Sequence, residues 1–418
     1  MYALADANNF FVSCERVYNL KYRNVPCVVL SNNDRCVVAR SNEVKELGIK
    51  MGVPVYQIEH LMKKHNIQRC SSNYELYADM SNRIMTLLSG FTPNLEVYSI
   101  DEAFLDLSGM TNLKDYGHKI VQYVTRGTSI PVSLGIAPSK TLAKIASRFA
   151  KKYPGYKRVC VIDTEEKRIK ALQMTEISDV WGIGSEYTKL LNYYSVKTAY
   201  DFIQKSRSFV RRYMKVTGER TWMELQGIPC IANEEISEKK QICTSRSFDQ
   251  PVTDYSYLLE QVSNFAAKGV HKLRKQRSLA QGMIVFAYTN IFNPNKPQYC
   301  PSRYIHFSFP TLDTGEILGH VRFGLNEIYL PEYEYKKAGV ILTEITREDD
   351  TMYNCFDTVD RPKQRRLSNA IYNIKERFGY DAISMGIQGT NKSLENLRRD
   401  YLSKCPGTRW NDIIEISV

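Results

Sequence analysis

The stretch Tyr98-Ser99-Ile100-Asp101-Glu102-Ala103-Phe104-Leu105-Asp106 narrows what this chain can become more than any other. Val97 and Ile100 before Asp101 and Glu102, and Phe104 and Leu105 after them, read as strand, so two adjacent carboxylates interrupt a strand-turn-strand. Adjacent acids repel and bury at a cost. A solvated hairpin tip accommodates them. So does a divalent metal such as Mg²⁺, a hard cation that takes oxygen ligands. Both readings stand until the rest of the chain is weighed.

The 418 residues are too many for one core, so several domains are expected. Hydrophobic content of 43% and charged content of 24% belong to ordinary globular protein. No run reaches the roughly 18 apolar residues of a membrane span. Met1-Tyr2-Ala3-Leu4-Ala5-Asp6 lacks the basic lead of a signal peptide and begins as strand, which predicts a cytoplasmic protein. The formal charge of +12 favours a polyanionic partner, nucleic acid or membrane surface, and is equally compatible with a solvated basic surface. The 10 cysteines form no C-x-x-C pair and none stands at zinc-finger spacing from a histidine, so reduced, mostly buried thiols are expected.

In chain order, Tyr2 to Asp6 predicts a strand ending in an acid, followed by a turn and a helix from about Phe10. Asp6 at the end of a first strand is placed for a metal or phosphate ligand, or for capping the helix. Pro26–Leu30 and Cys36–Ala39 predict a hairpin across Ser31-Asn32-Asn33-Asp34, and Arg40 to Leu47 a helix closed by Gly48. Arg40 and Lys45 could meet a triphosphate or be plain surface charges. Leu76, Met80, Ile84, Leu87 and Leu88 mark a helix over 74–88. Another helix is expected over 111–128 and a strand over 131–137. A basic helix follows, capped by Ser139 and carrying Lys140, Lys144, Arg148, Lys151 and Lys152, and then a strand over 159–162. This order predicts a mixed, largely antiparallel sheet with helices against it, an α+β arrangement. If the strands of Asp6 and Asp101-Glu102 are neighbours, three carboxylates converge. That suits two divalent ions poised over a phosphate.

Ala5-Asp6-Ala7-Asn8-Asn9-Phe10-Phe11, the run from Ser72 to Ser81 and Tyr98-Ser99-Ile100-Asp101-Glu102-Ala103-Phe104 together resemble the Y-family translesion DNA polymerases. Ser31-Asn32-Asn33-Asp34, Val180-Trp181-Gly182-Ile183-Gly184 and Thr408-Arg409-Trp410 narrow the resemblance to the UmuC branch. The resemblance implies a right-hand-like, multidomain polymerase. Its parts would be a palm over 1–170 with fingers inserted at about 20–75, a helical thumb over 171–232, a linker over 233–242, a β-α-β-β-α-β little finger over 243–345 and a partner-binding tail over 346–418.

It also implies roles. Asp6, Asp101 and Glu102 would be the catalytic acids, holding two Mg²⁺ ions with the Ala7 carbonyl. Phe11 would be the steric gate against a 2′-hydroxyl, where many relatives carry Tyr. Phe10, Arg40, Lys45 and Lys151 would join Phe11 in binding the nucleotide. Lys45 falls where many relatives have Arg, keeping the charge without the bidentate fork. Asn42 falls where many have a triphosphate-binding Tyr.

Val180 to Gly184 before a helix reads as a helix-hairpin-helix or as a plain turn between helices. The resemblance implies the former, with Gly182 and Gly184 bringing amides to a DNA phosphate. Arg246 and Arg303 would neutralise backbone phosphates without reading bases. For the basic cluster from Lys268 to Arg277 a solvated face competes with that role. The implied activity is error-prone translesion synthesis on primer-template DNA from dNTPs in the SOS damage response. Implied partners are a UmuD-type subunit, a RecA filament and a sliding clamp bound through Met352–Phe356. The alternative is a polymerase-fold DNA-binding factor without catalysis.

Overall fold

Apolar strand runs in the first half of the chain assemble into two sheets, and those of the second half into one. The computed structural model describes residues 1–232, 238–350, 357, 359–389 and 398–413. The chain divides into two units, one formed by 1–234 together with 397–418, the other by 235–396.

The larger unit is built on a five-stranded sheet of order β5-β6-β1-β7-β8. Its strands are β1 (Tyr2–Ala7), β5 (Leu95–Val97), β6 (Glu102–Asp106), β7 (Val132–Ala137) and β8 (Val159–Val161). All neighbours are antiparallel except β7 and β8. Alternation along β1 sends Ala3, Ala5 and Ala7 into one core with α4 (Tyr74–Ser89) and α5 (Leu113–Thr128). Leu4 faces the other way, into a core shared with Phe104 of β6 and α6 (Lys140–Lys152). Residues of even number on β1 and β6 therefore lie beneath α6, and Asp6 and Glu102 are among them. On β7 that face carries Gly135, the cross-strand neighbour of Leu4. A side chain there would run into the backbone of α6 at Ala143, Ala146 and Ser147, so glycine sets how closely the helix lies on the sheet. Ser139 caps α6 by accepting from Leu142 N, as expected.

Between β1 and β5 the chain forms α1 (Phe10–Tyr18), β2 (Cys27–Leu30), β3 (Val37–Arg40), α2 (Asn42–Glu46), α3 (Val55–Lys64) and β4 (Gln68–Ser71). The strands make a small sheet of order β3-β2-β4 with its own core of Val28, Leu30, Val37, Val44, Ile49, Ile58, Met62 and Ile67. The helix expected from Arg40 begins only at Asn42. Arg40 is the last residue of β3, paired with Val28, because Ser41 is still extended and starts the helix after it. After β8 come α7 (Glu165–Gln173), α8 (Ser185–Tyr193), α9 (Ala199–Ile203) and α10 (Arg207–Leu225). Their apolar faces join the core under α6 through Leu172, Leu191, Phe202, Val210 and Met214.

The second unit runs β9 (Ile242–Val252), α11 (Tyr255–Lys275), β10 (Ser278–Tyr288), β11 (Ser302–Thr311), α12 (Thr314–Ile328) and β12 (Tyr335–Arg347). Its strands form an antiparallel sheet of order β11-β10-β12-β9, with α11 and α12 packed on its core. A basic helix, α13 (Arg361–Phe378), follows. No side chain of α13 is fully buried. It is held by polar contacts, with Arg361 on Glu316 at 2.8 Å and Ser368 donating to Asp313 at 2.7 Å.

The span expected to be one tail, 346–418, is therefore divided. α13 belongs to the second unit, while 398–413 pack against the first. Residues 233–237 of the expected linker and the expected clamp segment Met352–Phe356 lie outside the described residues. Among the described residues no helix is long and apolar enough to cross a membrane, and all nine cysteines are free thiols.

Candidate active site

The turn from β1 into α1 is fixed by polar side chains. Asn9 adopts the left-handed conformation that asparagine tolerates. Asn8 donates from its amide to Ser133 Oγ at 2.9 Å, and Ser13 Oγ donates to the Asn8 carbonyl at 2.7 Å. Ala7 N donates to the Asp101 carbonyl at 2.9 Å, extending the β1–β6 ladder by one bond and bringing Asp101 beside the end of β1. Ser99 organises the other side. Its hydroxyl accepts from the amides of Asp101 and Glu102 at 3.2 and 3.0 Å and donates to Asp101 Oδ1 at 2.6 Å.

Asp6 and Glu102 are cross-strand partners on one face of the sheet. Two like charges opposite one another are unfavourable, and Asp6 is only 8% exposed. Burial pushes the Asp6 carboxyl well above the usual carboxylate range, Lys151 pulls it back and Glu102 adds to the rise. Two lysines of α6 supply the countercharge. Lys151 pairs with Asp6, and Lys144 pairs with Glu102 at 2.8 Å. The Lys144 ammonium also lies 4.2 Å over the Tyr98 ring and 5.2 Å over that of Trp181, whose indole donates to the Tyr98 hydroxyl at 3.2 Å.

A second cationic group stands on the same rim. Lys45 donates to Asn9 Oδ1 at 2.5 Å, and Asn9 donates to Asn42 Oδ1 at 2.9 Å. Burial, then the positive charges of Arg40 and Lys151, hold the Lys45 ammonium below its ordinary value, while Asp6 opposes them. Lys45, Arg40, Lys151 and Asp6 thus share one electrostatic neighbourhood. The Arg40 guanidinium donates to the Ile49 carbonyl, and its Nε is buried with no partner among the described residues.

Phe11 is half-buried, stacked on Tyr77 at 4.3 Å with 13° between planes, and edge-on to Tyr74 at 6.0 Å. The period of α1 turns Phe10 inward, leaving 3% of it exposed, so its ring is core.

Gly182 has φ +89°, and a side chain there would meet the Thr221 hydroxyl at 2.8 Å, so glycine is required. Gly184 caps α8 with open space around it. In the second unit Arg246 lies on β9 and Arg303 on β11, the two edges of the sheet. Arg303 is half-exposed, 4.0 Å from Glu327.

Among the described residues no group of three acidic, histidine or cysteine side chains is already closed around an ion position. Two of the three acids are instead tied to lysines. Lys144 was named in the sequence only as part of a basic helix side. Its signal was its place seven residues, two turns, before Lys151. Asn9, Ser99 and Ser133 carried no signal beyond proximity to the acids.

The impB/mucB/samB family profile matches residues 5–148, and that of the impB/mucB/samB family C-terminal domain matches 239–354. Residues 365–416 match a Domain of unknown function (DUF4113). Protein UmuC of Salmonella typhimurium (strain LT2) is 36% identical over 422 residues, covering all of both chains. Protein ImpB of Salmonella typhimurium is 36% identical over 99% of each chain. DNA polymerase IV of Oceanobacillus iheyensis is 26% identical over 94% of this chain and 92% of its own. The solved structure titled "Y-family DNA polymerase chimera Dbh-Dpo4(243-245)-Dbh" superposes with a TM-score of 0.67 at 22% identity. It covers 83% of this chain and 99% of its own. The five-stranded sheet is thereby the palm, the small inserted sheet the fingers and α7–α10 the thumb-like part of that fold. With full-length identity of this order, the chain belongs to the impB/mucB/samB family of Y-family polymerases, as a UmuC and ImpB homologue.

Proposed function

We propose that this protein carries out template-directed, error-prone DNA synthesis across damaged bases, as a polymerase V-like catalytic subunit. The observation that carries the reading is the Asp6–Glu102 pair. It is a cross-strand like-charge pair, partly buried, that the fold maintains with two lysines instead of avoiding. Structural needs alone would not retain such a pair.

The all-oxygen donor set of Asp6, Asp101, Glu102 and the Ala7 carbonyl fits two Mg²⁺ ions. When bound, such ions polarise the α-phosphate and favour the ionised primer 3′-hydroxyl. The chain's own residues do the rest. Lys151, Lys45 and Arg40 bind the triphosphate and hold its charge as pyrophosphate leaves. Lys144, caged by Tyr98 and Trp181, orients Glu102. The Phe11 ring excludes a 2′-hydroxyl.

The second unit acts as the little finger, with Arg246 and Arg303 on the DNA backbone, and the Gly182–Gly184 turn offers amides to a phosphate. A UmuD-type subunit, a RecA filament and a sliding clamp are the proposed partners.

Primer extension with Mg²⁺ on undamaged and abasic templates tests this, with and without a UmuD-type subunit and an activated RecA filament. Wild type extends and Asp101→Asn does not, while both bind primed DNA equally. No extension under any condition, with DNA binding intact, makes the protein a binding factor.

A further inference from the structure

The C-terminal segment Arg398–Ile413 folds back onto the palm and fingers, and it meets them at one place above all, the first turn of α4. Asn73, which caps α4 through Leu76 N, donates its amide to the carbonyl and the hydroxyl of Ser403, both at 3.1 Å. Glu75 accepts from Thr408 Oγ1 at 2.6 Å and from Arg409 Nε at 3.0 Å. At the end of β4, Ser71 N donates to the Tyr401 carbonyl at 3.0 Å, and Tyr401 N donates to the Ser71 hydroxyl at 3.0 Å. Cys405, 1% exposed, is part of the palm core.

That same turn carries Tyr77, whose ring stacks on Phe11. The Tyr77 hydroxyl donates to Glu15 Oε1 at 2.7 Å, and the Ser403 hydroxyl donates to the same oxygen at 3.2 Å. Glu15 and Phe11 are four residues apart on α1, hence on one face of it. Tyr77 therefore spans both, with its ring on Phe11 and its hydroxyl on Glu15. Glu15 is 1% exposed and lacks a charged partner in this contact, so the two hydroxyls and their exact placement determine how the carboxyl is held.

We propose that the segment Arg398–Ile413 is the rear support of the sugar gate, with Ser403, Glu15 and Tyr77 as positioning residues that set how firmly Phe11 discriminates deoxyribonucleotides from ribonucleotides. The proposal rests on the reading of Phe11 as the gate. A ring stacked on a tyrosine can retreat only if that tyrosine moves. Tyr77 is held at its hydroxyl by a carboxylate that the C-terminal segment also grips. Releasing the segment loosens the tyrosine and lets the gate give way to a 2′-hydroxyl.

The test uses the full chain with three substitutions, Ser403→Ala, Ser403→Thr and Arg409→Glu. The last sets a like charge against Glu75 at the exposed edge of the contact, where folding is least at risk. The readout is kcat/KM for a deoxyribonucleotide over that for its ribonucleotide in primer extension. Ser403→Ala and Arg409→Glu each lower this ratio by about tenfold, by raising ribonucleotide use, and Ser403→Thr restores it. A simple loss of folded protein lowers both substrates together and leaves the ratio unchanged. Ratios within twofold of wild type in both variants, with hydrogen exchange showing the first turn of α4 deprotected, overturn the proposal. Phe11→Ala separates it from the underlying reading. If that change leaves the ratio untouched, Phe11 is not the gate and the proposal falls with it. If Phe11→Ala lowers the ratio and the Ser403 and Arg409 variants do not, the gate stands and its rear support is refuted.

Discussion

Replacing Gly135 with alanine tests the link between palm packing and the acids. Gly135 sits at the middle of β7, under α6. A Cβ there would collide with the backbone of Ala143 and Ser147. Even the third-nearest atom, the carbonyl carbon of Ala146, would lie at 2.6 Å, against the 3.4 Å at which ordinary contact begins. Backbone cannot rotate away as a side chain does, so α6 must rise from the sheet by 0.8 Å or more, the difference of those two distances. Overpacking of this kind costs about 3 kcal/mol, or a fall in Tm of roughly 6–12 °C for a unit of this size.

The same displacement carries Lys144 and Lys151 away from Glu102 and Asp6. Misplacement of about 1 Å lowers kcat on the order of 100-fold. Thermal unfolding followed by primer extension at 20 °C below the variant's Tm reads both effects. Gly155→Ala, where a Cβ meets nothing within 4 Å, is the control and changes neither. A Gly135→Ala protein with wild-type Tm and kcat would show that α6 does not rest on this glycine and would refute the reasoning.

Burial holds the Glu15 carboxyl at about 7, above an unfolded value near 4.5, despite the hydrogen bonds from Tyr77 and Ser403. The stability due to its neutral form is complete below the unfolded value and is lost as pH rises through about 7, some 3 kcal/mol in all. Glu15→Gln keeps an acceptor for Tyr77 and removes that loss, so its Tm advantage over wild type grows between pH 5 and 8. An advantage independent of pH would place the titration elsewhere. Ser139→Ala removes the cap of α6 and the hydroxyl's 2.5 Å bond to the Glu224 carbonyl, lowering stability by about 1–2 kcal/mol in chemical denaturation. Arg246→Ala and Arg303→Ala each reduce the slope of log Kd for primed DNA against log salt by about 1, equally for unrelated sequences.

The acids were legible because carboxylates break an apolar strand pattern at Asp6 and again at Asp101-Glu102. That Asp6 and Glu102 stand opposite one another needed only that β1 and β6 be neighbours. The sheet alternation that puts Asp6 and Glu102 on the same face as α6 follows from strand period, and so did the basic face awaiting them. What was not legible had no local pattern. β4 is Gln-Arg-Cys-Ser and earns its place by pairing in parallel with β2, which lies far earlier in the chain. Phe10 and Phe11 look alike in sequence, and only the helix direction tells which is core and which faces the cleft. The docking of the C-terminal segment runs through hydroxyls, amides and one arginine, groups whose partners no periodicity reveals.

The bonds that complete the first unit join Asn73 to Ser403, which are 330 residues apart. At about 5–20 residues per second, a ribosome makes the second roughly 15–65 s after the first. Throughout that interval the nascent palm has a gap where Cys405 belongs and a buried carboxyl with one of its two donors missing. The whole second unit must be translated before the first can finish folding. A premature stop anywhere in the second unit therefore reaches back into the palm, even though every residue of the acid cluster has already been made.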